Sequence, residues 1–186
     1  MTWHPPGVDL AKWRAALAED VVDLLAMLAQ AEPAIATTPD DRTLAEEIAW
    51  PGMRIYEVPT ATVLPVLAAA AEDGFDQAAV IAADAADVPG MILGKLLRPL
   101  ETKPVAVAPG GPDGGLLGVA ARLPAPAWLV DHELDGASPM LLRRTAPQPS
   151  DVQSTPDWRR LRGPADLATL DPALEGWENT RALLGG

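Results

Sequence analysis

The chain contains no cysteine, which excludes disulfides, thiol catalysis and zinc sites built on thiolates. Aromatic residues are scarce at 4%, so the core has to be made from Ala, Val and Leu. Six of the aromatics are tryptophans (Trp3, Trp13, Trp50, Trp128, Trp158 and Trp177), spread along the chain and suited to packing in the core or at its edge. No uninterrupted apolar run reaches the ~20 residues that a membrane span requires. Positive charge is also the minority: 14 basic residues stand against 26 acidic ones, a formal net charge of -12. Nucleic acid demands clustered Lys and Arg to neutralise phosphates, so it is not an expected partner. An acidic surface chiefly serves solubility. Met1–Val8 has neither a charged leader nor an apolar core of a secretion signal. The expectation is a cytoplasmic protein with no membrane partner.

What is present is globular in composition. The length is 186 residues, with 48% hydrophobic and 22% charged, enough for one domain with one core. Asp9 is placed to cap a helix reaching about Gln30, with Trp13, Leu17, Val21, Leu24, Leu25 and Leu28 at helical spacing. Pro33 ends it. Ala34–Thr38 then reads as a strand, Asp40 and Asp41 open a second helix up to Pro51, and Arg54–Val58 reads as another strand. Thr60 is a candidate cap for a helix ending at Asp73-Gly74. Ala78–Ala83 is apolar without alternation, as expected of a parallel strand buried on both faces. A helix over Gly90–Leu100 and strands at Pro104–Ala108 and Leu116–Ala121 follow. Strands alternating with helices indicate an open α/β sheet with helices on both sides. Beyond Arg122 the pattern weakens: a helix at Ser138–Thr145, linker composition over Pro147–Pro156, and short helices at Asp166–Leu170 and Pro172–Leu184.

Two segments carry candidate chemistry. The strand Ala78–Ala83 delivers Asp84 at its carboxyl end, where open α/β sheets bind ligands, and Asp87 follows three residues later. Two such carboxylates can hold Mg²⁺ or Mn²⁺ through oxygen ligands while nucleotide phosphates complete the shell. Asp at a strand end or helix start also serves hydrogen bonding alone. The second segment, Pro109–Gly115, is a Gly- and Pro-rich loop that lets a ligand approach the backbone, with Asp113 as a hydroxyl or metal partner. A tight turn explains its composition equally well. It lacks the Lys-Ser/Thr of a phosphate-binding loop.

Taken together, the order strand, Asp-x-x-Asp-hydrophobic-Pro, helix, strand, Asp-Gly-Gly, strand resembles the rSAM/selenodomain-associated transferase 1 family. That family is a branch of the GT-A-like glycosyltransferases and nucleotidyltransferases. The resemblance covers roughly Ala16 to Arg122. It implies a three-layer, Rossmann-like GT-A fold (that of the nucleotide-diphospho-sugar transferases) as one domain over 1–186, with its α/β core at 9–122 and an irregular, helical part at 123–186. It also implies a nucleotide or nucleotide sugar as ligand, Asp84 and Asp87 as metal ligands for Mg²⁺ or Mn²⁺, and Asp113, Gly114 and Gly115 at the cofactor.

Four elements of the family pattern are absent or replaced. The first strand and its Pro-Gly-x-x-Lys-Thr-Arg-Leu loop have no counterpart, because the chain begins almost directly at the helix that should follow them. Thr60-Ala61-Thr62 stands where a Gly-Glu-Arg element belongs, and Gly136-Ala137-Ser138 where Trp-Ser-Thr belongs. Arg160–Leu167 stands at the closing acidic element, with arginines in place of two carboxylates. Two functions are compatible with this pattern: a nucleotide-dependent transferase, or a degenerate relative serving as a binding or regulatory subunit. The missing strand belongs near the middle of the sheet. The expectation is that Ala34–Thr38 and Ala78–Ala83 close up and pair; the alternative is that a partner chain or a second copy completes the sheet.

Other polar residues are discounted. Asp131-His132-Glu133 reads as a polar turn rather than a ligand cluster, and His4 lies in a terminus. Neither Ser138 nor Ser154 sits in a nucleophile elbow. Arg143-Arg144 and Arg159-Arg160-Arg162 read as solvated charge or internal ion pairs rather than a phosphate site.

Overall fold

The computed structural model describes residues 3–29, 31–111, 115–171 and 173–185. The first helix, α1 (Leu10–Ala26), starts where the Asp9 carboxylate accepts the backbone N–H of Lys12 at 3.1 Å. Its stripe of Trp13, Leu17 and Val21 is buried. Then come β1 (Ala34–Thr37), α2 (Arg42–Ile48), β2 (Arg54–Glu57), α3 (Val63–Glu72), β3 (Gln77–Ile81), α4 (Gly90–Leu97), β4 (Val105–Pro109) and β5 (Leu116–Arg122). The remainder holds α5 (Pro139–Thr145), β6 (Val152–Ser154), α6 (Pro164–Leu167) and α7 (Glu178–Leu183). Thr60 does not cap α3. The cap is remote: Asp131 accepts from Leu64 N at 2.9 Å and Thr62 Oγ1 at 2.8 Å, and the His132 carbonyl accepts from Val63 N at 3.0 Å.

Four strands form one sheet in the order β3-β5-β4-β6. β5 runs antiparallel to both β3 and β4, and β6 runs parallel to β4. β6 lies inside the segment that reads as a linker. A three-residue edge strand flanked by prolines is too short to leave a periodic signal. Side chains alternate across this sheet. Val105 and Val107 join Val63, Leu67 and Leu142 on one face, whereas Ala106, Ala108 and Ala120 meet Leu93 and Leu96 of α4 on the other. The small residues on that second face let α4 lie close, and α1 packs beside it through Leu24 and Leu25, joined by Leu28 just past its end. A third cluster joins Trp13 and Leu17 of α1 to Ala86, Leu161 and Trp177. It docks the C-terminal part onto the core.

β1 and β2 form a separate, parallel two-stranded sheet. The expected closure of the sheet does not occur. Among the described residues β1 pairs with β2 alone, and β3 with β5 alone. The helix layer instead spans both sheets: α1 contacts α2, which packs on β1 and β2, and α1 joins the α4 cluster of the four-stranded sheet. The expectation that Ala78–Ala83 is buried on both faces, as a parallel strand, also needs correction. β3 is antiparallel to its one neighbour, and its apolar residues Ala78–Ile81 are only half-buried, because its other edge is open.

At the far side of α1, the buried Asp20 carboxylate accepts the N–H groups of Asn179 and Thr180, both at 2.9 Å, and so caps α7. Burial pushes the carboxyl upward, although the hydrogen bonds from Thr180 and Asn179 oppose it. Asp20→Ala would orphan these amides. The expected loss is about 1–3 kcal/mol, read from urea denaturation, with the Trp177 fluorescence responding first.

Candidate functional site

The carboxyl end of β3 is held in place by Ala82 N donating to the Leu117 carbonyl at 2.8 Å. Asp84 emerges there, 6% exposed, and Asp87 is 4% exposed at the approach to α4. Carboxylates this deeply buried need compensating charge. It comes from the chain itself. Arg160 grips Asp84 with both prongs of its guanidinium, Nε to Oδ1 at 2.5 Å and Nη2 to Oδ2 at 2.8 Å. Such bidentate pairing is the strongest geometry open to an Arg and a carboxylate. The Nη1 group of Arg160 donates to the Leu116 carbonyl at 3.2 Å and to Asp135. The main chain adds a further tie, Leu161 N to the Asp84 carbonyl at 2.7 Å.

Asp87 is paired in parallel fashion. It accepts from Trp158 Nε1 at 3.1 Å and from Arg159 Nη2, and the Arg159 guanidinium lies over the Trp158 ring at 4.8 Å. Arg162 approaches Asp135 at 3.5 Å. Three carboxylates thus face three guanidinium groups in one cluster. Burial by itself would lower the pKa of Arg160. The hydrogen bonds and charge of Asp84, joined by Asp135, outweigh it and hold the group above its ordinary range.

The glycine loop serves the same segment. A Cβ at Gly110 would meet Arg160 Cδ at 3.3 Å and the Leu116 backbone at 3.3 Å. Gly115, with φ +78°, lies where a Cβ would come within 3.1 Å of the Leu134 carbonyl. Both positions make room for the protein's own chain. Asp113 and Gly114 lie outside the described residues, so of the three residues assigned to the cofactor only Gly115 is placed. Asp131 and the His132 carbonyl of the Asp131-His132-Glu133 segment cap α3, as described above.

A divalent cation fits this arrangement poorly. The oxygen atoms of Asp84 and Asp87 that would face it are engaged by guanidinium and indole donors. Among the described residues no group of three His, Cys, Asp or Glu side chains is placed to hold a metal. In the sequence Arg159, Arg160 and Arg162 read as solvated charge or internal pairs. That reading does not name the partners of Arg159 and Arg160 as the two candidate metal ligands. The usable signal is the cluster of Arg159, Arg160 and Arg162 on a chain with few basic residues.

Arg160→Ala would leave Asp84 a buried, unpaired carboxylate. The expected cost is about 3–5 kcal/mol. The double variant Asp84→Asn with Arg160→Met removes both charges and should lose less than Arg160→Ala alone. Denaturation midpoints of the two variants test this directly.

No protein-family model matches the chain, and no curated protein sequence matches it. Among solved structures, it is similar to the crystal structure of a candidate nucleotide-diphospho-sugar transferase from Desulfovibrio desulfuricans G20. The TM-score is 0.67 at 22% identity, over 94% of this chain and 84% of that one. No helix among the described residues is long and apolar enough to cross a membrane. The chain has the GT-A-like α/β fold of the nucleotide-diphospho-sugar transferases.

Proposed function

We propose that this protein is an altered GT-A-like transferase relative, of the rSAM/selenodomain-associated transferase 1 type, in which arginines have closed the divalent-cation site. The observation that carries this reading is the bidentate grip of Arg160 on Asp84. In a metal-dependent transferase, the carboxylate at this strand end is open to a cation that in turn binds the diphosphate. Here a guanidinium from the same chain satisfies it. A diphosphate also needs excess positive charge or free amides. The guanidinium groups of this cluster are balanced by Asp84, Asp87 and Asp135. The cluster therefore favours neither a free Mg²⁺ or Mn²⁺ ion nor a free nucleotide. Its work is structural, and the protein acts by binding rather than by transfer.

A second observation supports a binding role. The sheet is incomplete between β1 and β3, which gives the protein a means of pairing with another chain.

Calorimetric titration with nucleoside di- and triphosphates and nucleotide sugars, each with and without Mg²⁺ or Mn²⁺, tests the proposal. The expected result is no saturable binding. Metal-dependent binding that is lost in Asp84→Ala would overturn it and restore a transferase with Asp84 and Asp87 as metal ligands. Metal-independent binding lost in Arg160→Met would overturn it as well, by making the arginine a phosphate ligand.

A further inference from the structure

The space between β1 and β3 is a groove of about 1560 Å³. Cations and carboxylates nearly balance along its lining, so charge selects no occupant there. A second concavity, of about 410 Å³, lies at the far end of α4 and falls within the ~300–1,000 Å³ typical of small-molecule sites. Its wall is Lys95, the turn Arg98–Glu101 with Thr102 and Lys103, and residues 153–156 at the exit of β6. Its charged groups are Lys95, Arg98 and Lys103 against the carboxylate of Glu101. This positive excess stands on a chain of net charge -12. Other basic side chains are engaged by carboxylates or carbonyls, as Arg14, Arg54 and Arg122 are. Lys95, Arg98 and Lys103 have no such partner among the described residues.

Local geometry brings the three cations together. Arg98 keeps helical backbone angles directly after α4, so Lys95 and Arg98 stand three residues apart on one helical face. Like charges at that spacing repel. The chain then folds back, with Lys103 N donating to the Pro99 carbonyl at 2.8 Å, and the third cation joins the same wall. Cations near a helix end also serve to satisfy its last carbonyls. Here that need is met by other groups: Arg122 donates to the Leu100 and Glu101 carbonyls, and Thr102 N and Lys103 N both donate to that of Pro99. Counting the chain neighbours Arg122 and Asp157 leaves the positive excess unchanged.

We propose that this pocket binds the phosphate group of a small molecule, either free phosphate or a phosphomonoester. Three cations from separate points of the chain suit a tetrahedral dianion, whereas a planar carboxylate is matched by one guanidinium fork. The net charge of -12 repels a large acidic partner but opposes a small ion far less. No aromatic ring lines the pocket, so a nucleobase has nothing to stack on. Exposed charge pairs each contribute little, so the affinity is millimolar, too weak to saturate in the nucleotide calorimetry. The site is also separate from the Asp84–Arg160 cluster. Asp87 precedes α4, and the pocket lies beyond its other end, ~12 Å along the helix axis.

The test titrates the isotope-labelled full chain with inorganic phosphate, glycerol phosphate and succinate at constant ionic strength, and reads amide chemical shifts. Both phosphates should shift residues 95–103 and 153–155 along saturable curves, and succinate should bind severalfold more weakly. Lys95→Gln, Arg98→Gln and Lys103→Gln should each weaken phosphate binding roughly two- to fivefold, and Glu101→Gln should strengthen it by a similar factor. The three lysine and arginine substitutions combined should remove saturation while the rest of the spectrum shows an intact fold. Tighter binding of glycerol phosphate than of inorganic phosphate assigns the ligand as a phosphomonoester; equal or weaker binding assigns it as free phosphate. No saturation by either phosphate, an equal response to succinate, shifts confined to other residues, or saturable shifts retained in the combined variant would overturn the proposal. Arg160→Met should leave these curves unchanged, so this proposal and the one on the Asp84–Arg160 cluster can fail separately.

Discussion

The guanidinium of Arg160 joins four parts of the chain that would otherwise meet only loosely. It holds the end of β3 through Asp84, the start of β5 through the Leu116 carbonyl, and the loop at Asp135, while belonging to the C-terminal segment itself. The pair spans 76 residues of sequence, and both partners are about nine-tenths buried. In so dry a setting the attraction is strong, but so is the cost of desolvating either ion alone. Each charge is thus tolerable only while the other is present. The adjoining Trp158–Arg159–Asp87 contact and the glycine at Gly110 depend on the same path of residues 158–162 across the sheet end.

This cluster and the groove are two sides of one arrangement. Asp84, Asp135 and Arg160 line the groove at one end. Elsewhere the lining mixes aliphatic side chains with charged ones, among them Arg14, Arg54, Lys95 and Arg98. The β1-β2 pair is positioned by α1 and α2 rather than by hydrogen bonds to β3. The most completely buried strands, β4 and β5, are those with neighbours on both sides, while β1 and β3 are only half-buried.

Much of the architecture was legible because local physics wrote it. The Asp9 cap, the apolar spacing of α1 and the unbroken apolar strands each have a local cause. What failed were matters of neighbourhood. Thr60 has the side chain of a cap, but Asp131 reaches α3 at Leu64 from 67 residues away. Pro147–Pro156 looked like a linker, but Val152–Ser154 finds the open side of β4. Sequence spacing carries no information about such contacts.

The candidate site divides the same way. By itself the sequence determined that two aspartates lie at the carboxyl end of an apolar strand, and that Arg159, Arg160 and Arg162 cluster in the closing segment. Only the tertiary structure decided that those arginines are the counter-ions of those aspartates. Likewise, the apolar character of Ala34–Thr38 and Ala78–Ala83 was plain from composition, but the open groove between them was not. The physical reason is common to both: a charge pair and a strand pair are each defined by what lies across a gap of a few ångströms, and the two sides of that gap come from segments far apart in the chain.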